Sequence, residues 1–506
     1  MRRFLTVVCA MVVAASMAGP AAAEKTVAVN DPALPGVFDQ PSVAVYGSTA
    51  HVAYIGASTA AGPFRVYYAA INGGADFSDL SLSRDTSGFL VTPPAPIDNT
   101  APGNSSYFDA RHPQIAIRSG TEAVIFFQAK PASSPDPTYA LYLARLTLEN
   151  NVVVKRSVRL VTGVSGYNED VSFGLVTTDN TARVAYAGRT GISGNFNVYC
   201  ARVSLETASV TGTPGTPLLL SSAAGSTGAR PLPSLALDSL NRAHVAWSAN
   251  DSTSSPNGVY YALVKETDGV DAVAIAATEI LGRSRKWGSP NLLALATNSV
   301  VILAADESLP GVAGNIGMVR INPDADDQNG SPVQVSVDTN FLLTPPGETI
   351  LPENYSLFRP QAVFDILGQI HVTGYGNSGT RSTYYAFSFS SDWPYVGFVK
   401  IPAPVGLDSA EFPVSLDGDY TRAAIGYFSD GKAVIFWSGA VTGTGNRNLD
   451  VTGLPTARAI QDDQSGCLVV PAPSPGSTGT NADALLPFLP MAILWMRRVL
   501  RRTIGE

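Results

Sequence analysis

Residues 233–247 read PSLALDSLNRAHVAW, and residues 258–264 read GVYYALV. In the first stretch, two apolar runs flank a polar break, which is the pattern of two strands joined by a tight hairpin. The second stretch is a tyrosine-rich apolar run and predicts a third strand beside them. The variable residues that follow leave room for a more polar fourth strand. Together they predict one four-stranded antiparallel sheet.

The same unit recurs about seven times. Its first half starts at residues 41, 113, 170, 233, 290, 360 and 423, and its second half recurs as RVYYAAI (65–71), ALYLARL (140–146), NVYCARV (197–203), NIGMVRI (315–321) and STYYAFS (382–388). A repeat of roughly 50 residues with several strands is typical of a propeller. We therefore predict an all-β fold, a seven-bladed β-propeller of four-stranded antiparallel blades over residues 24–460. A two-sheet sandwich is the main alternative.

The last unit lacks a clear tyrosine-rich strand. The segment Lys25–Asn30 (KTVAVN) could supply a closing strand to that final blade.

The N-terminal residues predict a secretory signal peptide over residues 1–23. Met1-Arg2-Arg3 is basic, residues 4–18 are apolar, and the small residues Ala21-Ala22-Ala23 form a cleavage site that ends at Ala23. We therefore expect export of the chain and loss of Cys9 with the peptide.

Two cysteines remain after that cleavage, Cys200 and Cys467. Cys200 takes the tyrosine position of its third-strand motif, so we expect it to pack in the core. A disulfide between the two is the less favoured alternative in an oxidising compartment.

The C-terminal residues predict a linker and an anchoring tail. A Pro-, Ser-, Gly- and Thr-rich linker that contains Cys467 occupies residues 461–482, and residues 483–506 form a hydrophobic and basic tail. The short apolar helix of the tail, residues 484–496, reaches the roughly 20 residues of a spanning helix only if the following arginines snorkel. Those arginines are expected on the cytoplasmic side.

The tail resembles bacterial C-terminal protein-sorting tails of the JDVT-CTERM and MYXO-CTERM types. The matching positions are Gly466, Cys467, Asp483, Leu486, Pro487, Arg497 and Arg498. Pro490 inside the helix departs from the pattern. The resemblance implies transient membrane anchoring, processing near Cys467 by a sorting protease, and display at the cell surface. An ordinary membrane anchor is the alternative.

Charge and histidine placement exclude several functions. The net charge is −8 and no basic stripe exists outside the termini, so we expect no nucleic-acid partner. His51, His244 and His371 start the second strand of their repeats, and residues on separate blades cannot converge on one zinc ion. We therefore expect packing histidines, no metal and no cofactor. The acidic stretch 324–330 (DADDQNG) resembles a calcium loop only faintly and predicts a solvated loop.

A candidate ligand site precedes the first strand of each unit. In a propeller that strand lines the central channel, so the residues at its start should surround one funnel mouth. They are Asp39, Arg111, Asp170 with Glu169, Arg230, Trp287 with Lys286, Arg359 and Arg422. The arginines could bind a carboxylate or phosphate in bidentate fashion. The alternative is that they pair with the acidic residues or are solvated.

The repeat also resembles the blades of the sialidase (BNR-like) propeller superfamily. Phe358-Arg359-Pro360 is similar to the Phe-Arg-Ile-Pro motif of that family, without the Ile and in the sixth unit. The Asp-box turns of the family are missing, since Ser429-Asp430-Gly431 is only a turn. The resemblance implies architecture; the arginine triad, acidic proton donor and Tyr–Glu nucleophile that catalysis would need cannot be placed here.

The function expected from these patterns is non-catalytic. We predict a secreted or surface-displayed propeller that binds a glycan, peptide or protein partner at the bacterial cell envelope, and not an enzyme. The alternative is a sialidase-like glycoside hydrolase acting in the funnel, which needs two reacting groups about 5–10 Å apart. A purely structural surface protein is a third possibility.

Overall fold

The computed structural model describes residues 26–29, 36–59, 62–73, 81–82, 108–131, 139–164, 167–189, 195–221, 231–249, 257–282, 284, 286–306, 316–326, 332–338, 357–365, 370–377, 381–388, 396–400, 423–428, 433–440 and 447–454. Within these ranges the chain forms strands, turns and irregular connections, and no helix occurs. The predicted signal peptide, linker and C-terminal helix lie outside the described residues.

Five four-stranded antiparallel sheets follow one another along the chain. The first contains β6 (Phe108–Ser119), β7 (Glu122–Pro131), β8 (Ala140–Glu149) and β9 (Val152–Leu160). The second contains β10 (Tyr167–Leu175), β11 (Thr181–Arg189), β12 (Asn197–Ser204) and β13 (Leu218–Leu219). The third contains β14 (Ser234–Leu237), β15 (Ala243–Ala249), β16 (Gly258–Thr267) and β17 (Val270–Leu281). The fourth contains β18 (Trp287–Ala296), β19 (Ser299–Asp306), β20 (Ile316–Asp326) and β21 (Pro332–Asp338). The fifth contains β22 (Leu357–Phe364), β23 (Ile370–Asn377), β24 (Arg381–Ser388) and β25 (Val396–Lys400).

An eight-stranded sheet contains both ends of the described chain. Its strands are β1 (Thr26–Ala28), β2 (Val37–Tyr46), β3 (Thr49–Ala57), β4 (Arg65–Asn72), β5 (Ser81–Leu82), β26 (Ala424–Tyr427), β27 (Ala433–Ala440) and β28 (Arg447–Leu454). The order is β26-β27-β28-β2-β3-β4-β5, and β1 also pairs with β28. The link between β28 and β2 is one parallel pair, Val37 with Arg447.

The first strands of the units form a closed ring. Contacts join β2 to β6, β6 to β10, β10 to β14, β14 to β18, β18 to β22, β22 to β26, and β26 back to β2. Sheets that radiate from such a ring are the architecture of a β-propeller. The predicted all-β propeller is therefore confirmed, and a two-sheet sandwich is excluded.

Both faces of the inner strands are buried, which explains their nearly continuous apolar sequences. In β3, Val52 and Tyr54 pack in one core cluster with Phe436 of the neighbouring β27. The intervening residues Ala53 and Ile55 pack in a second cluster, which reaches the sheet β6–β9. Because side chains alternate across a strand, each sheet contributes to two cores.

The aromatic residues of the repeat are cross-strand partners. In four sheets the aromatic near the end of the second strand stacks on the tyrosine opposite it in the third strand, with ring centroids 5.5–6.0 Å apart. The pairs are Tyr54–Tyr67, Phe127–Tyr142, Tyr186–Tyr199 and Trp247–Tyr260. Cys200 of β12 is buried as predicted, and burial raises the pKa of its thiol to about 12.

Neighbouring first strands are joined by a repeated hydrogen bond. A side-chain oxygen of one first strand accepts the backbone N–H of the next, at 2.9–3.2 Å. The acceptor and donor pairs are Ser42 with Ile115, Ser172 with Leu235, Ser234 with Leu292, and Asn291 with Ala362. These bonds satisfy buried backbone groups at the channel wall, where no neighbouring strand of the same sheet can do so.

We expect Ser234→Ala to destabilise the fold, because the buried N–H of Leu292 loses its acceptor. The cost should be about 1–3 kcal/mol in the free energy of unfolding, measured with a chemical denaturant. Ser239→Ala, in the exposed turn between β14 and β15, is the control and should change that free energy little. Equal effects of the two substitutions would contradict the structural role of the bond.

The chain closes its ring with residues from both ends. β1 pairs antiparallel with β28, and the N–H of Val29 donates to the carbonyl of Leu449 at 2.7 Å. The predicted closing strand within Lys25–Asn30 is thus confirmed. Beside it, the guanidinium of Arg447 lies 3.2 Å from the carboxylate of Asp39, and both side chains are about 1% exposed.

The closing sheet also contains a buried carboxyl group, Asp450. Its backbone is paired with Trp437 on one side and Ala28 on the other, and its Oδ2 atom has no hydrogen-bond partner among the described atoms. Burial raises the pKa of this carboxyl from 3.8 to about 7.

This raised pKa predicts a pH dependence of stability. Between about pH 4 and 7 the folded state keeps a proton at Asp450 that the unfolded state has lost, so the free energy of unfolding should fall as the pH rises. Asp450→Asn removes the titration, and the difference between variant and wild type should grow by up to about 1.4 kcal/mol per pH unit across that window. Thermal unfolding at a series of pH values measures it. A constant difference across the window would contradict the prediction.

In the ranges that the structure describes, no helix combines the length and apolarity needed to cross a membrane.

Candidate functional site

The first strands are bulged near their start, where they face the channel. In five units the pairing of the first strand with the second shifts register there, between Asp39 and Ser42, Arg111 and Gln114, Glu169 and Val171, Gly288 and Asn291, and Phe358 and Gln361. Four of the bulged residues have left-handed backbones: Gln40, His112, Asp170 and Ser289, with φ of 53°, 51°, 50° and 44°.

This backbone is unfavourable for the residues that adopt it. Gln40, His112 and Ser289 each precede a proline, which normally holds the preceding residue in an extended conformation. Left-handed backbone in non-glycine residues concentrates at functional sites, where the surrounding fold enforces it. The propeller thus holds four different polar side chains at equivalent places around one axis.

Four of these five bulges, those of β6, β10, β18 and β22, border a cavity of about 170 Å³. Five first strands contribute to it: Gln114 from β6, residues 170–173 from β10, residues 232–235 at and before β14, residues 289–292 from β18, and Gln361 from β22. The polar groups of its wall are mainly hydroxyls and amides. Among the described residues that line it, Asp170 is the one carboxylate.

Asp170 is paired with His112 across two sheets. Nδ1 of His112 lies 3.4 Å from Oδ1 of Asp170, and both side chains are almost fully buried. The backbone N–H of His112 donates to Oε1 of Gln40 at 2.7 Å, which connects a third sheet to the pair. A carboxylate beside an imidazole fixes the imidazole's orientation and is itself kept ionised when the imidazole is protonated.

Ser289 adds a second polar group to the cavity wall. Its side chain is more than nine-tenths buried, and its hydroxyl has no hydrogen-bond partner among the described atoms. A buried hydroxyl costs free energy unless it is satisfied, so this group is placed to bind a water molecule or a ligand.

The structure brings together only some of the predicted funnel residues. Asp170 lines the cavity, and Arg111 lies beside His112 with its side chain 22% exposed. Asp39 is sealed in its ion pair with Arg447. Trp287 packs in a core cluster and donates from Nε1 to the carbonyl of Gly282 at 3.0 Å, so its ring is a packing group.

For three of the predicted arginines the structure does not describe the side chain. Arg230 and Arg422 are not among the described residues, and Arg359 is described only as backbone of β22. The tail positions Ala23, Cys467, Arg497 and Arg498 are also outside. For these residues the sequence-based assignment stays a prediction.

The repeated histidines are packing residues, as expected. Nδ1 of His51 and of His244 lies 2.7 and 2.8 Å from the hydroxyl of a tyrosine in the third strand of the same sheet. Burial lowers the pKa of His51 to about 4, so it stays neutral. His371 lies 3.4 Å from Asp365. Within the described ranges no three metal-binding side chains come together.

The first residue of the acidic stretch 324–330, Asp324, forms an ion pair. Arg242 forms an ion pair with the carboxylate of Asp324, which is exposed on β20.

Sequence reasoning missed His112, Gln40 and Ser289. The available signal was the dipeptide at the start of three repeats, in which a polar residue precedes proline (Gln40-Pro41, His112-Pro113, Ser289-Pro290). Because proline normally favours an extended preceding residue, the sequence alone gave no reason to expect a bulge that turns these side chains.

Comparison with known proteins finds only distant structural similarity. No protein-family model and no curated protein matches the sequence. A polysaccharide lyase of family PL25, an ulvan lyase, is 10% identical, with 84% of this chain and 95% of that chain covered and a TM-score of 0.46. An endo-arabinase from Bacteroides thetaiotaomicron is 10% identical, with coverages of 75% and 98% and a TM-score of 0.35. A GH93 α-L-arabinofuranosidase of Fusarium graminearum is 11% identical, with coverages of 65% and 89% and a TM-score of 0.37.

These neighbours correct one expectation. The sequence was interpreted as a non-catalytic binding propeller, whereas the solved structures that it resembles are mostly enzymes that act on glycans. The non-catalytic interpretation was therefore wrong. At 10–11% identity the likeness concerns the fold alone, so the chemistry of this chain must come from its own residues. The likeness to sialidase repeats extends no further than propeller architecture.

Proposed function

We propose that this protein is a carbohydrate-active enzyme that cleaves a glycosidic bond at the channel cavity. The observation that carries the proposal is the Asp170 carboxylate, which lines a cavity of hydroxyls and amides and is held by His112 at 3.4 Å. A buried ionisable pair beside a concave polar site is a candidate catalytic centre.

The cavity wall has the chemistry that a sugar ring needs. Each sugar hydroxyl both donates and accepts hydrogen bonds, and the side chains of Gln114, Asn291 and Gln361 offer both kinds of group. The oxygens of Ser172 and Ser234 accept backbone N–H groups, so their hydroxyl hydrogens remain to be donated. The hydroxyl of Ser289 supplies another donor and acceptor.

In this proposal Asp170 is the catalytic residue and His112 a positioning residue. Asp170 reaches the cavity and would act as general base or acid on the bound sugar. His112 lies 3.4 Å from that carboxylate and orients it. His112→Gln should therefore shift the pH profile of cleavage, which a merely structural histidine would not do.

We propose further that the propeller has seven blades. The closed ring of seven first strands supports this count, with the eight-stranded sheet divided at the single pair between Val37 and Arg447. Residues 24–460 would then form one catalytic propeller.

The ends of the chain lead to a proposal about location. The basic-apolar start and the tail with Cys467 would export the enzyme and hold it at the bacterial cell envelope, where glycans are encountered. Mass spectrometry of the mature protein tests this. An intact chain that still contains both Met1 and Arg502 would overturn it.

The function is tested by incubating the purified chain with a panel of neutral, carboxylated and sulfated polysaccharides. We expect new reducing ends from at least one glycan. Ultraviolet absorbance of an unsaturated product would identify elimination, and its absence from a cleaved sample would identify hydrolysis. Oligosaccharide binding without cleavage, or no effect on any glycan, would overturn the proposal.

A further inference from the structure

We infer that the substrate is an acidic glycan, whose carboxylate or sulfate group is bound by Lys130 and Arg111 beside the catalytic pair. This inference rests on the proposed function and adds the class of sugar to it. The observations concern cationic side chains on the sheet β6–β9 that do not line the cavity.

Lys130 and Arg111 lie on one face of the strand pair β6–β7. Arg111 is directly opposite Gln128, and Asp109 is directly opposite Lys130. Residues opposite each other, and those two positions along, point to the same side of an antiparallel sheet. The four side chains therefore share a face at the end of the sheet where His112 begins the bulge.

A tyrosine ring organises the two cations. The guanidinium of Arg111 lies 5.0 Å from the centroid of the Tyr139 ring, and the ammonium of Lys130 lies 5.2 Å from it. The hydroxyl of Tyr139 donates to Oδ2 of Asp109 at 2.6 Å, which fixes the ring.

The local charge favours an anion. On this face the described residues include two cations and one carboxylate, Asp109. Both oxygens of that carboxylate already accept hydrogen bonds, from Tyr139 and from the N–H of Phe64. Arg111 is 3.7 Å from Asp109, whereas no described carboxylate lies within ion-pair distance of Lys130.

A buried amide provides an independent indication of a ligand. Gln128 is 1% exposed, and its Nε2 group has no hydrogen-bond partner among the described atoms. It lies directly across from Arg111 and offers two N–H donors. This face therefore carries two cations and an unsatisfied amide. Their N–H groups can donate hydrogen bonds to the oxygens of a carboxylate or a sulfate ester.

The cationic face adjoins the catalytic pair. Arg111 is the neighbour of His112 in the chain, and the carbonyl of Tyr139 accepts the N–H of Asn168 at 3.2 Å, two residues before Asp170. An acidic group bound at Lys130 would thus place the attached or neighbouring sugar ring near the cavity. Such positioning by a remote contact is a known source of catalytic efficiency.

The test measures both binding and cleavage in the full chain. Binding of oligogalacturonate, a sulfated galactan oligosaccharide and a neutral galactan oligosaccharide is measured in an Asp170→Asn background, with and without Lys130→Met. We expect Lys130→Met to weaken binding of at least one acidic ligand about tenfold, the value of one charge-assisted contact. Binding of the neutral ligand should change less than twofold. The stronger acidic ligand identifies carboxylate or sulfate as the preferred group.

The matched control is Lys155→Met. Lys155 is an exposed lysine on β9 of the same sheet, away from Tyr139, and its loss changes the net charge equally. If both lysine variants weaken acidic ligands equally, or if neutral and acidic glycans bind and react alike in the wild type, the inference is overturned and the proposed enzyme remains. If the wild type cleaves no glycan of either kind, the proposed function itself fails.

Discussion

Asp170→Asn should lower kcat for glycan cleavage about 10²–10⁴-fold, the range expected when a general acid or base is lost. The substitution keeps the size and shape of the side chain and removes only its charge and its ability to exchange a proton. Asn also tolerates the left-handed backbone at this position, where φ is 50°, so the fold should survive. KM should change much less than kcat. Reducing-end assays over a range of substrate concentrations separate the two constants.

The control for this substitution is Asp268→Asn. Asp268 has nearly the same left-handed backbone, with φ of 53°, but lies in the exposed turn between β16 and β17. It should leave both kcat and the unfolding temperature unchanged. If Asp170→Asn retains wild-type kcat while circular dichroism shows an intact fold, Asp170 is not the catalytic group.

Asp39→Asn should have the largest effect on stability of the substitutions considered. The variant removes a counter-charge from the buried guanidinium of Arg447, and breaking such a pair typically costs about 3–5 kcal/mol. The effect should appear in the free energy of unfolding from urea titration. Replacing both residues in Asp39→Asn/Arg447→Gln should recover part of the loss, because the buried charge is then removed as well.

An exposed ion pair provides the comparison. Arg118 is 37% exposed and pairs with Glu122 at 3.2 Å, so Arg118→Gln should cost less than about 1 kcal/mol. Similar costs for the buried and the exposed pair would show that Asp39 does not stabilise the junction of the first and last strands.

Much of the fold could be predicted because each repeat has the same pattern of apolar residues. The alternation in β3 serves two cores, and the aromatic pairs such as Trp247–Tyr260 reveal which strands are neighbours. These features depend on residues close in sequence, so a single chain displays them. The closing strand β1 was also visible, because the last unit was one strand short.

The site could be predicted only in part because it depends on bulges. The sequence predicts ligand-binding residues at the start of each first strand, and one of them, Asp170, lines the cavity. The sequence-based prediction named Trp287, but Trp287 packs in a core cluster and Ser289 lines the cavity instead. A bulge shifts by one or two positions which residue of the strand faces the axis. The prediction also missed Lys130 and Tyr139, which reach the face of Arg111 from other strands.

The pairing of β1 with β28 has a consequence for the order of folding. Most strand pairs join neighbours in the chain and can form early, but this pair joins residues about as far apart as the described chain allows. The circle can therefore be completed only when the chain up to Leu454 is free to fold. Until then the folding chain is an open arc whose first and last sheets each expose an uncovered apolar side, and we expect chaperones that bind such surfaces to protect it.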